Sequence, residues 1–175
     1  RETLYSDNFG ILLFDSKAKL LRPHNSYYGI DDKNRKLEIP LDLGIAGRTA
    51  RTKKPQLITD VSKDKDYFNA NKETLSELAV PIFVNNELFG IINAESSEIG
   101  FFSEIDQKLL ITLANQLATA IERIQLVETV QQHVKEITAL YDTAIATSSE
   151  LETETLYQKL YQEIKKLFPL DSFSL

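Results

Sequence analysis

Side chains that could carry covalent, metal or acid–base chemistry are few and scattered in this sequence. It contains no Cys, which excludes disulfides, thiolate metal ligands and Cys nucleophiles. Its two His, His24 and His133, lie far apart, and the carboxylates of Asp64 and Asp66 fall in a charged loop where solvation is expected. No Ser/His/Asp arrangement or metal-ligand spacing appears. The sequence therefore predicts no catalytic residues, no metal site and no enzymatic activity.

Residues suited to binding a small molecule are easier to find. A few polar groups within an apolar concavity are typical of ligand sites, although a buried polar strand residue can equally satisfy only local hydrogen bonds. The aromatic pair in the polar loop 62–73 is open to two interpretations, a lid over a ligand or an anchor for the loop. The predicted ligand-binding residues are Tyr67, Phe68, Ser76, Val80, Ile91 and Asn93.

Charge and composition limit the partners. The 175 residues include 20 Lys+Arg and 26 Asp+Glu, a net charge of −6, which argues against nucleic-acid binding. No run approaches the ~20 apolar residues of a membrane span, and no signal peptide is recognised. We therefore expect a cytoplasmic location. Because the sequence begins at Arg1 without an initiator Met, it is expected to be part of a longer chain.

Short strands are predicted throughout the first hundred residues. The clearest are Ser76–Val84 and Glu87–Glu95, which flank Asn85-Asn86, a pair suited to a two-residue hairpin turn. Counting from that turn predicts that Val80 opposes Ile91 and that Leu78 opposes Asn93, with Ser76 and Asn93 on one face. Short connections favour a mostly antiparallel sheet of five to six strands in an α+β fold, with helices on both faces.

A long helix is predicted from Ser103 to Ser148, with Ser103 and Asp106 resembling a capping box. At 1.5 Å per residue it would be ~69 Å long and would project beyond the domain in which it starts. Its apolar residues alternate in steps of three and four, the pattern of a coiled coil, with one phase slip. A parallel homodimer is predicted through Leu117, Ile124, Val127, Val130, Val134, Ile137 and Tyr141.

The order of these motifs resembles the GAF domain family. The first half of the family's signature resembles Gly44–Thr52 together with Ile58–Ser62. The second half resembles Ser76–Ile82 together with Leu88–Ser96, and the closing helix resembles Phe102–Glu122. The resemblance predicts a GAF domain over 1–122 that lacks most of its first helix, followed by a coiled-coil linker helix over 123–149. Residues 150–175 resemble the first helix and the start of the first strand of a second GAF domain, so tandem GAF domains are expected.

The resemblance implies a sensory or regulatory module of a signalling protein, such as a two-component system. It would bind an unidentified small molecule and transmit the signal through the dimerising helix. The alternative is a ligandless dimerisation module of a sensor histidine kinase or a nucleotide cyclase.

Cofactor binding by known members of the family depends on particular residues. Bilin-binding members usually attach their chromophore to Cys, and methionine sulfoxide reductases of this fold also require Cys, so its absence argues against both. Cyclic-nucleotide-binding members carry a motif that Asn93, Phe102 and Asp106 match here, but Ala94 and Gln107 replace its Lys and Glu. No cofactor is therefore predicted.

Overall fold

The computed structural model describes residues 7–31, 34–68 and 73–149, together with residues 157, 158, 161, 162 and 165. Side chains from 144 to 149 are not described, and the predicted second-domain segment over 150–175 lies almost wholly outside the described residues. By contacts between Cα atoms the chain divides into two units, Arg1–Ile124 and Gln125–Leu175.

The first unit is built on a six-stranded antiparallel sheet, as predicted. The strands lie in the spatial order β3-β2-β1-β6-β5-β4. The sheet is accompanied by α1, Gly44–Thr52, and α2, Glu104–Ser149, and by two short 3-10 helices, Asn34–Lys36 and Val61–Lys63. The strands are β1 (Asn8–Asp15), β2 (Leu20–Pro23), β3 (Ile39–Pro40), β4 (Gln56–Ile58), β5 (Ser76–Val84) and β6 (Glu87–Ser96).

Each face of the sheet carries its own core. On one face Leu78, Val80 and Ile92 pack with Leu110 and Ala114 of α2. On the other, Leu12, Ala79 and Ile91 pack with Ile45 and Ala46 of α1, together with Tyr27. Both faces of the central strands are therefore covered, which explains why β5 is apolar at successive positions rather than at alternate ones.

The turn between β5 and β6 forms where the sequence predicts it, but the register differs by one residue. Asn85 and Asn86 have φ angles of 51° and 65°, and Val84 pairs with Glu87. A β-bulge between Ile82 and Phe83 then shifts the pairing, so that Val80 opposes Ile92 and Leu78 opposes Ala94. Since one residue of shift reverses the faces, the predicted grouping of Ser76 with Asn93 is wrong.

The start of α2 follows the predicted capping pattern. The Asp106 carboxylate accepts hydrogen bonds from the Ser103 amide at 2.8 Å and from its hydroxyl at 2.7 Å. The helix is continuous to Ser149. Among the described residues, no helix is long and apolar enough to cross a membrane.

Candidate functional site

A cleft that opens to solvent lies on the α1 face of the sheet. Asn8 of β1, Glu77 of β5, and Asn93 and Glu95 of β6 form its polar floor. The first turn of α1 forms one wall, and Phe68 contributes from the loop beyond α1. A concavity that combines apolar walls with a few polar groups is typical of small-molecule sites.

Strand pairing brings the polar groups together. Glu77 lies directly opposite Glu95, and Asn8 pairs with Glu95 from the other side. Asn93 lies two residues before Glu95 and therefore on the same face. We call Glu77 and Glu95 the carboxylate pair.

Glu95 is held by three hydrogen-bond donors. Its carboxylate accepts from Asn8 Nδ2 at 2.9 Å, from Asn93 Nδ2 at 3.0 Å and from the Thr74 hydroxyl at 2.8 Å. These three donors fix the position of the Glu95 carboxylate on the floor of the cleft.

Glu77 has a different environment, because only 5% of its surface is exposed. Burial, followed by the charge of Glu95, raises the pKa of Glu77 well above 4.5, although a hydrogen bond with Asn93 opposes this. In the unliganded cleft Glu77 is thus the carboxyl group that retains a proton.

Tyr27 lies across the floor of the cleft, where Asn93 Nδ2 donates to its hydroxyl at 3.0 Å. Burial, with the nearby charge of Glu95, raises the pKa of Tyr27 well above 10.0. The ring can lie there because position 10 is Gly: a Cβ at Gly10 would lie 2.5 Å from Tyr27 Cγ. The phenol is therefore neutral and fixed in position.

The loop that carries Phe68 is tied to α1 by an ion pair. Arg48 Nη1 and Nη2 bind the two Asp64 carboxylate oxygens at 2.9 and 2.6 Å, and Nη1 also lies 3.1 Å from Asp66 Oδ2. The Arg48 guanidinium lowers the pKa of Asp64. The sequence analysis treated Asp64 and Asp66 as solvated, whereas Asp64 is largely buried against Arg48.

The predicted ligand-binding residues separate into three groups. Phe68 and Asn93 line the cleft, while Ile91 and Tyr67 pack in the core beside it. Burial raises the pKa of Tyr67 to about 12. Ser76 and Val80 lie on the opposite face, where Ser76 Oγ donates to the Glu98 carbonyl at 2.7 Å. Whether any of these residues binds a ligand stays a prediction.

Sequence reasoning missed the carboxylate pair, Tyr27 and Asn8. Glu77 was available as a signal, because it is a charged residue inside an otherwise apolar predicted strand. A buried charge of that kind requires a partner or a shifted pKa. Glu95 is the last but one residue of the neighbouring strand β6, and only the bulge-shifted register sets it opposite Glu77.

The fold and its sequence place the chain in a known family. The sequence model of the GAF domain matches residues 1–122. The chain therefore belongs to the GAF domain family, as its motifs predicted.

Two proteins with similar sequences have the same name. Free methionine-R-sulfoxide reductase of Saccharomyces cerevisiae is 33% identical over 72 residues, 41% of this chain and 40% of that protein. The enzyme of the same name from Escherichia coli is 27% identical over 81 residues, 46% of this chain and 49% of that protein. The matched segments thus span less than half of each of these two relatives.

A solved structure has the same fold. The X-ray structure of free methionine-R-sulfoxide reductase from Neisseria meningitidis, in complex with its substrate, aligns with a TM-score of 0.63 at 23% identity. The alignment covers 69% of this chain and 71% of that chain.

These comparisons contradict the predicted function. A signalling sensor without enzymatic activity was expected, with a ligandless module of a histidine kinase or cyclase as the alternative. The relatives are named instead as reductases, which are enzymes, and the alternative gains no support. The prediction failed because a fold does not determine its chemistry, and because the missing Cys was used to set the reductase class aside.

Proposed function

We propose that this chain binds free methionine sulfoxide in the cleft and takes part in its reduction. The observation that carries the proposal is the carboxylate pair on the floor of the cleft, in which Glu77 is buried and Glu95 is half-buried. The names of the relatives support this choice of ligand.

The carboxylate pair suits the α-ammonium group of a free amino acid. A buried charge must be compensated by an opposite charge or by hydrogen bonds. Among the described residues that line the cleft, none is Lys, Arg or His. An entering ammonium group would therefore be the cation that the pair lacks, and it would favour release of the proton from Glu77.

Recognition of the ammonium group also explains selection of a free amino acid over a peptide. A methionine sulfoxide residue inside a polypeptide has a neutral amide where the free amino acid has an ammonium. That amide would leave the carboxylate pair uncompensated. A site discriminates strongly against a ligand that leaves its buried polar groups unpaired. This discrimination is stronger than discrimination by the shape of an apolar group.

Reduction of the bound sulfoxide requires a reductant from outside these 175 residues, because they contain no Cys. We propose a thiol for this role. Two thiols supply two electrons and two protons, the sulfoxide becomes a thioether, its oxygen leaves as water, and the two thiol sulfurs form a disulfide. The part of this chain in that reaction is to bind and orient the sulfoxide.

Calorimetry with free methionine-R-sulfoxide tests the binding step. We expect binding to the wild-type protein and up to about a hundred-fold weaker binding to Glu95→Gln, because a hydrogen bond to a charged group contributes up to about 3 kcal/mol. Glu87→Gln is the matched control, since Glu87 is exposed at the start of β6. Equal affinity for the sulfoxide as a free amino acid and within a peptide would refute the proposal.

Turnover is tested separately by measuring methionine formed from the sulfoxide in the presence of dithiothreitol. We expect a rate above that of dithiothreitol alone, and loss of that excess in Glu95→Gln. Binding without any excess rate would refute participation in the reduction and leave the binding proposal standing.

A further inference from the structure

The side of α2 that faces away from the sheet carries apolar residues within the first unit. Leu110 and Ala114 turn toward the sheet and are buried. Leu109 and Leu113 are 47% and 41% exposed, and Ala120 is exposed as well. We call Leu109, Leu113 and Ala120 the outer row of α2. Neighbouring large apolar side chains left in water on one helix indicate a surface that another molecule covers.

The outer row belongs to a heptad repeat that continues along α2 to Tyr141. The repeat occupies two series of positions, each in steps of seven: Leu113, Ala120, Val127, Val134 and Tyr141, and Leu109, Gln116, Arg123, Val130 and Ile137. All ten of these side chains are exposed. The phase slip noted in the sequence disappears once Leu117, which packs against the core of the first unit, is left out of the series.

The length of this repeat matches what a stable pairing of two helices needs. From Leu109 to Tyr141 it spans about 50 Å at 1.5 Å per residue. A strip about 10 Å wide then offers about 500 Å² per copy, or about 1,000 Å² in a dimer, which is close to the lower limit for specific interfaces. The part from Val127 to Tyr141 has less than half of this length. The outer row is therefore needed to complete the interface.

Arg123 favours one direction of the partner helix over the other. A parallel second copy would set every residue of the repeat opposite itself, so two Arg123 side chains would be buried against each other, which is strongly unfavourable. An antiparallel copy, related by a two-fold axis beside Gln125, would set Arg123 opposite Val127 instead. The long Arg123 side chain can then extend past Val127 and keep its guanidinium in water.

The residues that flank the repeat near this axis agree with the antiparallel direction. Ile124 and Leu126, on either side of Gln125, are 58% and 64% exposed. In parallel coiled coils the flanking positions are often Glu or Lys, which pair between the helices. In the antiparallel arrangement Ile124 lies near Ile124 of the second copy and Leu126 lies near its Leu126. Apolar flanking residues therefore gain apolar partners.

We propose that residues 127–141 of a second copy of this chain cover the outer row of α2 in an antiparallel two-fold dimer. Each copy covers the outer row of the other, so both halves of the repeat leave water together. The antiparallel direction replaces the parallel one expected from the sequence. This assembly is independent of the proposed function, and its tests need no ligand.

Disulfide cross-linking tests the direction, because these 175 residues contain no Cys and an introduced thiol reports only its own position. Leu113→Cys and Ile137→Cys are oxidised with diamide singly, and again after the two variants are mixed and allowed to exchange. In the antiparallel dimer position 113 faces position 137 of the second copy. Two copies of position 113 are then about 36 Å apart, whereas a disulfide joins Cα atoms within about 7 Å. We expect a covalent dimer in the mixture alone.

The matched control replaces Ile137→Cys by Ala139→Cys, which is exposed but outside the two series of the repeat. A mixture of Ala139→Cys with Leu113→Cys should stay uncross-linked. Covalent dimers of Leu113→Cys alone and of Ile137→Cys alone would show parallel pairing and overturn the proposal. Absence of a covalent dimer from the mixture of Leu113→Cys and Ile137→Cys would overturn it as well.

Charges placed in the outer row test which surface is covered. We expect Leu109→Glu combined with Leu113→Glu to raise the dimer Kd at least about a hundred-fold in sedimentation, because unpaired charges would be buried. Lys108→Glu combined with Asn115→Glu is the matched control, since both residues are exposed outside the repeat, and it should keep the wild-type Kd. A monomeric wild-type protein, or an undiminished dimer of the Leu109 and Leu113 variant, would overturn the proposal. If that variant does not fold, the cross-linking decides.

Discussion

Glu77 lies directly opposite Glu95 across the paired strands β5 and β6, in a cleft whose described lining residues include no cation. Like-charged groups that face each other in a sheet are destabilising. The structure accommodates them because Glu95 is held by three donors, while burial and the Glu95 charge keep the pKa of Glu77 high. This arrangement leaves the pair ready for a positively charged group.

The raised pKa of Glu77 predicts a characteristic dependence of stability on pH. Since the pKa in the folded state exceeds the ordinary value of 4.5, the folded protein retains a proton that the unfolded chain releases above that pH. The free energy of unfolding is then greatest below that value and falls as the pH rises toward the folded-state pKa. We expect Glu77→Gln to reduce this decline, as measured by urea unfolding between about pH 5 and about pH 8. Glu87→Gln should keep the wild-type profile, and a Glu77→Gln profile parallel to wild type would contradict the assignment.

Arg48 is expected to hold the Phe68 loop in place over the cleft. Lys at this position keeps the charge but cannot bind both Asp64 oxygens and Asp66 through one planar group. We expect Arg48→Lys to lower the free energy of unfolding by about 1 kcal/mol and to weaken ligand binding several-fold by calorimetry. Arg22→Lys is the control, because Arg22 forms an exposed pair with Asp15 and Glu38 and should change stability by less than about 0.5 kcal/mol. Unaltered ligand binding in Arg48→Lys would show that the loop does not depend on this ion pair.

Gly10 is expected to be essential for the position of Tyr27. An added Cβ would lie 2.5 Å from Tyr27 Cγ and 2.7 Å from its Cα, so rotation of the side chain alone cannot relieve the overlap. We expect Gly10→Ala to lower the free energy of unfolding, measured with urea, by about 1–3 kcal/mol. Part of this cost should vanish in a Tyr27→Ala background, where the ring is absent. Identical costs in the two backgrounds would locate the strain elsewhere.

Self-association through α2 remains a prediction for the second unit. Val134 and Ile137 are 57% and 66% exposed, and Ile124, Val127, Val130 and Tyr141 are exposed as well, while Leu117 packs against the core of the first unit. We expect a dimer in sedimentation at micromolar concentration. Changing Val134 and Ile137 together to Glu should dissociate the dimer, because unpaired charges would be buried in the seam, the row of apolar residues through which the two α2 helices are predicted to pack.

The matched control for the seam is the pair Thr129→Glu and Ala139→Glu. These exposed positions fall outside the a and d positions that contain Val134 and Ile137. This control should stay dimeric. A monomeric wild-type protein, or dissociation by both double variants, would exclude the predicted seam.

Local features of this protein could be predicted from the sequence because each is specified by neighbouring residues. Asn85 and Asn86 adopt the positive φ angles that their turn requires, and Ser103 with Asp106 caps α2. Short connections were enough to predict the antiparallel sheet and the α+β fold, and the order of the signature motifs gave the resemblance to the GAF family.

Which residues come together in the candidate site was decided by the tertiary structure. The bulge at Ile82 and Phe83 shifts the register by one residue, and because side chains alternate between faces, that shift moves Ser76 away from Asn93 and sets Glu77 opposite Glu95. Tyr27 packs directly against Gly10, and this contact also depends on how two separate segments of the chain are placed in the fold. Pairings between distant segments are fixed by the packing of the whole sheet, which no local pattern of residues encodes.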